Sequence, residues 1–334
     1  MGCACAAGCG TALLALAALL GLPRAGRADD AASPQWGAGP LDLRDGFVLG
    51  LTHLTLGPGS TATRGRGRAR LAVRADWAQT SVVDDRSGAV LDAETVEVAS
   101  IVEYGLTDRI QLGLELPVAY RGAGVLDPFV RAIEKGTARV RFDRLVRPDG
   151  EYRVAGATHD GDAFDLDRGL GAGKLRLGLK VRPFDGGPFS PAASIETVVA
   201  LPTSAPAGFG TAGIDAGVRL AFSKRLGDDL VLGIGATAVH GGGDLGPIEL
   251  DPFQLGAFGS LEYEALPWLS IVAEAWVESP STRNLGERGA VFYLGAGVKA
   301  SWGPISGEIG LVENAGDMSS AGDVAFHVEV GVTF

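Results

Sequence analysis

The feature that most constrains the fold of this chain is a strict two-residue alternation in its last stretch, residues 323–334. Apolar side chains occupy every second position there, namely Val324, Phe326, Val328, Val330, Val332 and Phe334. The residues between them are small or polar: Ala325, His327, Glu329, Gly331 and Thr333. Because successive residues of a strand point to opposite faces, the pattern predicts a strand with one wholly apolar face. This strand ends on an aromatic residue.

The same alternation begins near residue 69 and continues to the end of the chain, which predicts about twelve strands. Short turns and long loops alternate between these strands, as in a transmembrane barrel with its turns on one side and its loops on the other. We therefore predict an all-β protein, a transmembrane antiparallel up-and-down β-barrel over residues 68–334. The last strand of such a barrel ends in the periplasm. A chain that also starts in the periplasm needs an even number of wall strands. Residues 29–67 are therefore predicted to lie outside the wall, as a periplasmic or plug segment.

Residues 1–28 have the character of a secretory signal peptide. The apolar core, residues 11–22, is too short for a membrane-spanning helix, and the small residues Gly26 and Ala28 suit cleavage after Ala28. The cysteines of the chain all lie in this segment: Cys3, Cys5 and Cys9. The mature chain is thus expected to hold no disulfide and no thiolate metal site. Cleavage removes two of the 29 basic residues, leaving 27 against 40 acidic ones, and the resulting charge of −13 argues against nucleic acid as a partner.

The inward positions of the predicted strands carry most of the charge. The candidate lumen-lining residues are Arg70, Arg74, Glu97, Glu115, Lys174, Arg176, Lys180, Arg182, Glu196, Glu262, Glu274, Glu308, His327 and Glu329. A desolvated charge without a partner is costly, so these groups indicate either water in the lumen or ion pairs between strands. Two interpretations stay open: a narrow pore with a basic wall facing an acidic wall, or a paired and largely plugged interior. The i, i+2 spacing of His327 and Glu329 predicts a structural hydrogen bond between them.

One loop, residues 121–170, is far longer than the others and contains a helical signal. Asp127 suits an N-cap, and the proline after it suits the first helical turn. An apolar stripe at i, i+3, i+4, i+7 spacing follows the same stretch: Leu126, Phe129, Val130 and Ile133. The helix could lie in the barrel mouth as a lid or pack on neighbouring loops. The rest of the loop carries no predicted wall strand, unless residues 140–153 add a hairpin to a fourteen-stranded wall.

Catalytic and metal-binding signals are weak. The four histidines form no His-x-x-x-His or Glu-x-x-His pair, so we predict no metal site and no cofactor. They are His53, His159, His240 and His327. A barrel lipase uses a serine and a histidine at matched height on its outer surface, and no such pair is evident here. We therefore predict that the chain is not an enzyme.

Seven short motifs stand in a fixed order along the chain. They are Leu-Asp-Ala-Glu-Thr (91–95), Tyr-Gly-Leu-Thr-Asp (104–108), Leu-Glu-Leu-Pro (114–117), Gly-Val-Leu-Asp-Pro-Phe-Val (124–130), Leu-Gly-Ala-Gly (170–173), Leu-Pro-Thr (201–203) and Val-Ala-Phe-His (324–327). Together they resemble a family of bacterial outer-membrane β-barrels known only as a domain of unknown function. Residues 135–150 depart from that family's pattern. The resemblance spans about residues 45–334 and implies a barrel in the outer membrane, without an established activity.

These observations support function hypotheses from three classes. The leading one is a monomeric outer-membrane barrel that passes or binds a small solute. The second is a closed-lumen structural or surface-interaction barrel, and an outer-membrane enzyme acting on lipid is a distant third. The expected partners are outer-membrane lipid, lipopolysaccharide and the barrel-assembly machinery. The terminal strand resembles the one that this machinery recognises, which makes Phe334 an assembly signal.

Overall fold

The part of the chain described by the computed structural model comprises residues 39–44, 46–84, 86–130, 132, 150–203, 208–286, 289–315 and 324–334. The predicted signal peptide, residues 1–28, lies outside the described residues, as does Ile133 of the predicted helix. Among the described residues, no helix is long and apolar enough to cross a membrane.

The described residues contain fifteen β-strands, which form one antiparallel sheet. The first three are β1 (Ala69–Val83), β2 (Val90–Thr107) and β3 (Ile110–Gly122). Three short strands follow, β4 (Arg153–Ala157), β5 (Ala163–Asp165) and β6 (Gly169–Ala172). The others are β7 (Leu175–Asp185), β8 (Ala192–Leu201), β9 (Asp215–Arg225), β10 (Leu230–His240), β11 (Phe253–Leu266), β12 (Leu269–Glu278), β13 (Val291–Trp302), β14 (Ile305–Asn314) and β15 (Val324–Thr333). A 3-10 turn, Gly50–Thr52, precedes β1.

The twelve longer strands close into a barrel. Strand β1 pairs with β15 on one side and β2 on the other, and β3 pairs with both β2 and β7, so the ladder returns to its start. The predicted antiparallel barrel of about twelve strands is therefore confirmed. The ladder closes with twelve strands, which leaves no place in it for a further hairpin; of the residues predicted for one, 140–153, only 150–153 are described. Strand β4 pairs with the end of β2 and with β5, and β6 pairs with the end of β3.

Short and long connectors alternate around the barrel, as the sequence predicted. Tight turns join β2 to β3, β11 to β12 and β13 to β14, and they define the short-turn rim. The described parts of the loops after β3, β8, β10 and β12 lie at the opposite end, which we call the long-loop rim. In outer-membrane barrels the short turns face the periplasm and the long loops face the exterior.

The outward face of the wall is apolar along its middle. Leu114 on β3 is 37% exposed, and its β7 neighbour on the same face, Leu177, is 42% exposed. Exposed aromatic side chains on this face collect near the two rims, at Tyr104, Tyr120, Tyr263, Phe292 and Trp302. An apolar band bounded by aromatic girdles is the exterior that a barrel presents to lipid.

Residues 39–44 and 46–65 run through the interior of the barrel, and residues 66–68 are exposed at its rim; we call the described residues of 39–68 the inner segment. The segment begins near the short-turn rim, where the Gly39 N–H donates to a β11 carboxylate. It rises to the 3-10 turn near the long-loop rim, where the Thr52 carbonyl accepts from the loop after β8. It then returns to the short-turn rim, where the Arg64 N–H donates to a β3 side chain. Residues 46–58 are buried throughout, and the described part of the inner segment contains no strand.

The 121–170 insert differs from its sequence prediction in two respects. It contributes β4, β5 and β6, which extend the sheet beyond the long-loop rim. Its helical turn, residues 127–130, also lies on the outward side of the wall and not in the mouth. The Phe129 ring is 5.3 Å from the ring of Phe326, and the Gln79 amide donates to the Asp127 carboxylate, both wall residues facing outward. The described part of this helix is therefore not a lid.

Candidate functional site in the barrel lumen

Arg74 on β1 is the centre of an ion-pair network inside the barrel. Its guanidinium is fully buried and contacts four carboxylates: Asp76 at 2.7 Å, Asp42 at 3.0 Å, Glu97 at 3.0 Å and Glu115 at 2.7 Å. The last two carboxylates reach it from β2 and β3, whereas Asp42 belongs to the inner segment. The network therefore ties the inner segment to three adjoining wall strands.

Two further arginines share these carboxylates. Arg176 on β7 contacts Glu115 at 2.5 Å and Glu97 at 3.7 Å. Arg44 of the inner segment contacts Glu115 at 3.2 Å and donates to the Thr55 carbonyl at 2.9 Å. Each buried charge thus lies next to a charge of opposite sign, which offsets the cost of removing it from water.

His327 bridges two neighbouring strands instead of pairing with Glu329. Its Nδ1 lies 2.7 Å from Asp76 Oδ1, and its Nε2 lies 2.9 Å from Glu308 Oε1. Glu329 pairs with Arg70. The hydrogen bond predicted between His327 and Glu329 is therefore wrong. Directly opposed residues such as Asp76 and His327 are closer than residues two apart on one strand.

The wall formed by β7, β8 and β9 is rich in basic residues, and these are also paired. Lys174 contacts Asp215 at 2.7 Å, while Lys180 and Arg219 contact Glu196 at 3.6 and 2.6 Å. This wall holds the inner segment as well. Asp215 accepts from one of its backbone N–H groups at 2.8 Å, and Arg219 donates to two of its carbonyls at 3.0 and 2.8 Å.

The wall formed by β11 to β14 is acidic. Glu262 accepts from the Gly39 N–H at 2.9 Å, and Glu308 accepts from another inner-segment N–H at 2.9 Å. Lys299 contacts Glu308 at 3.4 Å and donates to the Gly39 carbonyl at 2.9 Å and to the carbonyl after it. Glu274 is only 5% exposed, and neither of its carboxylate oxygens has a side-chain hydrogen-bond partner among the described residues; the Leu41 N–H of the inner segment lies next to them.

Glycines on β13 and β14 make room for two leucines of the inner segment. A Cβ on Gly295 would lie 2.6 Å from Leu43, and one on Gly310 would lie 2.9 Å from Leu43 and 3.2 Å from Leu41. A Cβ on Gly297 would lie 2.8 Å from Leu41. Leu41 and Leu43 are both fully buried, so the wall and the inner segment are complementary in shape here.

The top of the inner segment is enclosed at the long-loop rim. Phe47, Val48 and Leu49 are almost fully buried against apolar side chains of β1, β2, β4 and the loops after β10 and β12. Beside them, burial lowers the pKa of His53 to about 4, so the ring is neutral near pH 7. A cavity of about 10 Å³, room for about one water molecule, lies beside Arg44 in the described interior.

Some charged residues of this site were missed from the sequence. Asp42 and Arg44 lie in a Gly- and Pro-containing stretch without strand periodicity, and nothing local marks them as lumen residues. Asp215 and Arg219 lie at inward positions of β9, and the alternation with Leu220 and its neighbours could have identified Arg219. Arg182, a predicted lumen residue, lies instead at the short-turn rim, where its Nε is 3.1 Å from an Asp185 oxygen.

No protein-family model matches the chain, and no curated protein resembles it in sequence. The resemblance to a barrel family of unknown function therefore stays a prediction.

Solved outer-membrane barrels align with most of the chain at low similarity. The NanC porin is 9% identical with a TM-score of 0.45, covering 78% of this chain and 98% of its own. The β domain of the Bordetella autotransporter BrkA is 11% identical with a TM-score of 0.43, covering 80% and 100%. The Pseudomonas putida toluene transporter TodX is 9% identical with a TM-score of 0.40, covering 79% and 88%. Likenesses this distant carry no inference about function. The closed sheet, with its lipid-facing exterior and charged interior, makes the chain an outer-membrane-type β-barrel.

Proposed function

We propose that the protein is an outer-membrane channel for a small solute, and that the inner segment is its plug. One observation carries the proposal: the contacts that fill the lumen are made by the inner segment, which is not part of the sheet. Leu41, Leu43, Leu54 and Leu56 pack on inward side chains from opposite sides of the barrel. Of the two sequence-based alternatives for residues 29–67, a periplasmic or a plug segment, the proposal takes the plug, and it includes cleavage after Ala28.

The contacts that hold the plug support the proposal that it can leave the lumen. The described part of the plug adds no strand to the sheet, and its backbone hydrogen bonds to a wall strand are those of Gly67 and Arg68 with Gly105 of β2, next to the start of β1. Apolar packing, ion pairs and hydrogen bonds hold the rest, and water in an open lumen would replace the polar contacts for both partners. Strand pairing, by contrast, could not be given up without opening the barrel wall.

A closed-lumen structural barrel is the second candidate function. The shared network of Arg74, Arg44 and Glu115 favours it, because the plug completes the pairing of buried charges. A permanently seated plug would give these ion pairs a purely structural role.

Deletion of residues 39–64 separates the two functions. We expect the deleted barrel to assemble and to conduct ions in planar bilayers, whereas the full-length chain conducts little. Heat-modifiable migration in gels reports folding independently of conductance. A folded deletion variant that stays as closed as the full-length protein would refute the channel and leave the structural role.

A single substitution should loosen the plug without touching the wall. Valine at Gly310 places its Cβ against Leu41 and Leu43, while the nearest wall atom is 3.6 Å away. We expect Gly310→Val to raise the frequency of channel openings. The matched control is Gly113→Val, another inward glycine, whose Cβ would meet only Gly178 at 3.9 Å or more. Equal opening frequencies in the two variants would contradict the role of this contact.

A further inference from the structure

Glu274 on β12 is buried in the lumen, and no arginine or lysine of the described residues forms an ion pair with it. Its oxygens have no side-chain hydrogen-bond partner among these residues although the side chain is 5% exposed, and the donor next to them is the Leu41 N–H of the plug. It lies directly under the plug, since a Cβ on Gly295 would be 2.6 Å from Leu43 Cδ1 and 3.2 Å from Glu274 Oε1. Burial of an unpaired ionisable group lowers stability, so packing alone gives no reason for a glutamate here.

Aromatic rings adjoin this carboxyl group on the same inward face. Trp276 is two residues along β12 and lies opposite Tyr293 on β13. The two rings stack with centroids 4.8 Å apart and planes 19° apart, and the Trp276 Nε1 also lacks a hydrogen-bond partner. Aromatic faces beside a carboxylate are the surroundings that attract organic cations.

The surrounding wall adds negative charge. Glu262 lies opposite Val272, which places it diagonally across from Glu274 on the neighbouring strand. The nearby base is Lys299, which lies opposite Ser270, about 13 Å along the strand from the position opposite Glu274. Its amine already contacts Glu308 and two plug carbonyls. The site therefore has an excess of carboxylates over cations.

We propose that Glu274, Trp276 and Tyr293 form a binding site for an organic ammonium ion, uncovered when the plug leaves. This inference rests on the proposed channel function and names the class of solute that the channel takes. The cation would contact the aromatic rings and place its charge next to the Glu274 carboxylate. In the closed state Leu41 and Leu43 occupy this space, so plug and solute compete for one wall.

Calorimetric titration of the plug-deleted barrel with choline tests the site. The neutral isostere 3,3-dimethyl-1-butanol has the same shape without the charge and serves as the ligand control. We expect choline to bind and the isostere to bind at least about tenfold more weakly, a difference of about 1.4 kcal/mol. Glu274→Gln and Trp276→Leu should each weaken choline binding by about tenfold or more. Glu249→Gln, at an exposed position of the loop after β10, should leave it unchanged.

The outcomes distinguish the two proposals. Choline binding that is absent, or equal to that of the isostere, or insensitive to Glu274→Gln, overturns the cation site even if the deleted barrel conducts. A barrel that binds choline through Glu274 yet does not conduct refutes the channel and leaves the binding site. A full-length variant with Leu41→Ser and Leu43→Ser, which removes only the covering side chains, gives the same test if the deleted barrel does not assemble.

Discussion

Replacing Arg74 with methionine is expected to lower the free energy of unfolding by about 3–5 kcal/mol. The arginine is fully buried and lies within 3.0 Å of four carboxylates. Methionine fills a similar volume but leaves Asp76 and Glu97 with fewer opposite charges in a dry interior. The loss therefore comes from stranded carboxylates more than from lost packing.

Urea unfolding of the barrel refolded into lipid vesicles measures this effect. The control is Arg109→Met, which removes an arginine from an ion pair whose partners, Arg109 and Asp185, are 57% and 46% exposed. That change should cost less than about 1 kcal/mol, because exposed ion pairs contribute little. Adding Glu97→Gln to Arg74→Met should recover part of the loss, as expected for directly coupled residues. Equal costs for the two arginine variants would show that the Arg74 network does not stabilise the barrel.

The wall of the barrel could be predicted because the constraint on each strand acts on residues that are neighbours in the sequence. A strand between lipid and a polar lumen must alternate apolar and polar side chains, and this alternation can be recognised in β3 or β15 from a few consecutive residues. The outward positions read from the sequence, such as Leu114 and Val328, are exposed on the barrel exterior. Strand count and connector alternation follow from repeating the same local pattern.

The contacts inside the barrel could not be predicted in the same detail, because they join parts of the chain that are distant in sequence. The hydrogen bond from Asp42 to Glu308 spans 266 residues, and the one from Gly39 to Glu262 spans 223. No periodicity marks the plug residues, whose conformation follows the shape of the lumen. Which inward charges meet depends on strand register, and one pairing predicted from spacing alone, that of His327 with Glu329, was wrong.

The strand register also decides which inward residue can serve as the control for a substitution on the lipid-facing surface. Glu115 is inward and next to Leu114, so Glu115→Gln would be the natural comparison from sequence. In the structure Glu115 contacts Arg74 at 2.7 Å, Arg176 at 2.5 Å and Arg44 at 3.2 Å. Its neutralisation would leave three buried arginines short of a partner. Gly113 is the better inward control, because a Cβ there would meet only Gly178, at 3.9 Å or more.

Leu114→Arg is expected to lower the free energy of unfolding in lipid vesicles by about 2–4 kcal/mol. Leu114 lies on the outward face of β3 and packs beside Leu177, so an arginine there meets the hydrocarbon of the bilayer. Gly113→Ser, one residue earlier and facing the lumen, should change stability by less than about 1 kcal/mol. Both variants are unfolded in concentrated urea, so a difference in their unfolding free energies arises in the membrane-inserted barrel. Similar costs at the two positions would mean that the face carrying Leu114 does not contact lipid.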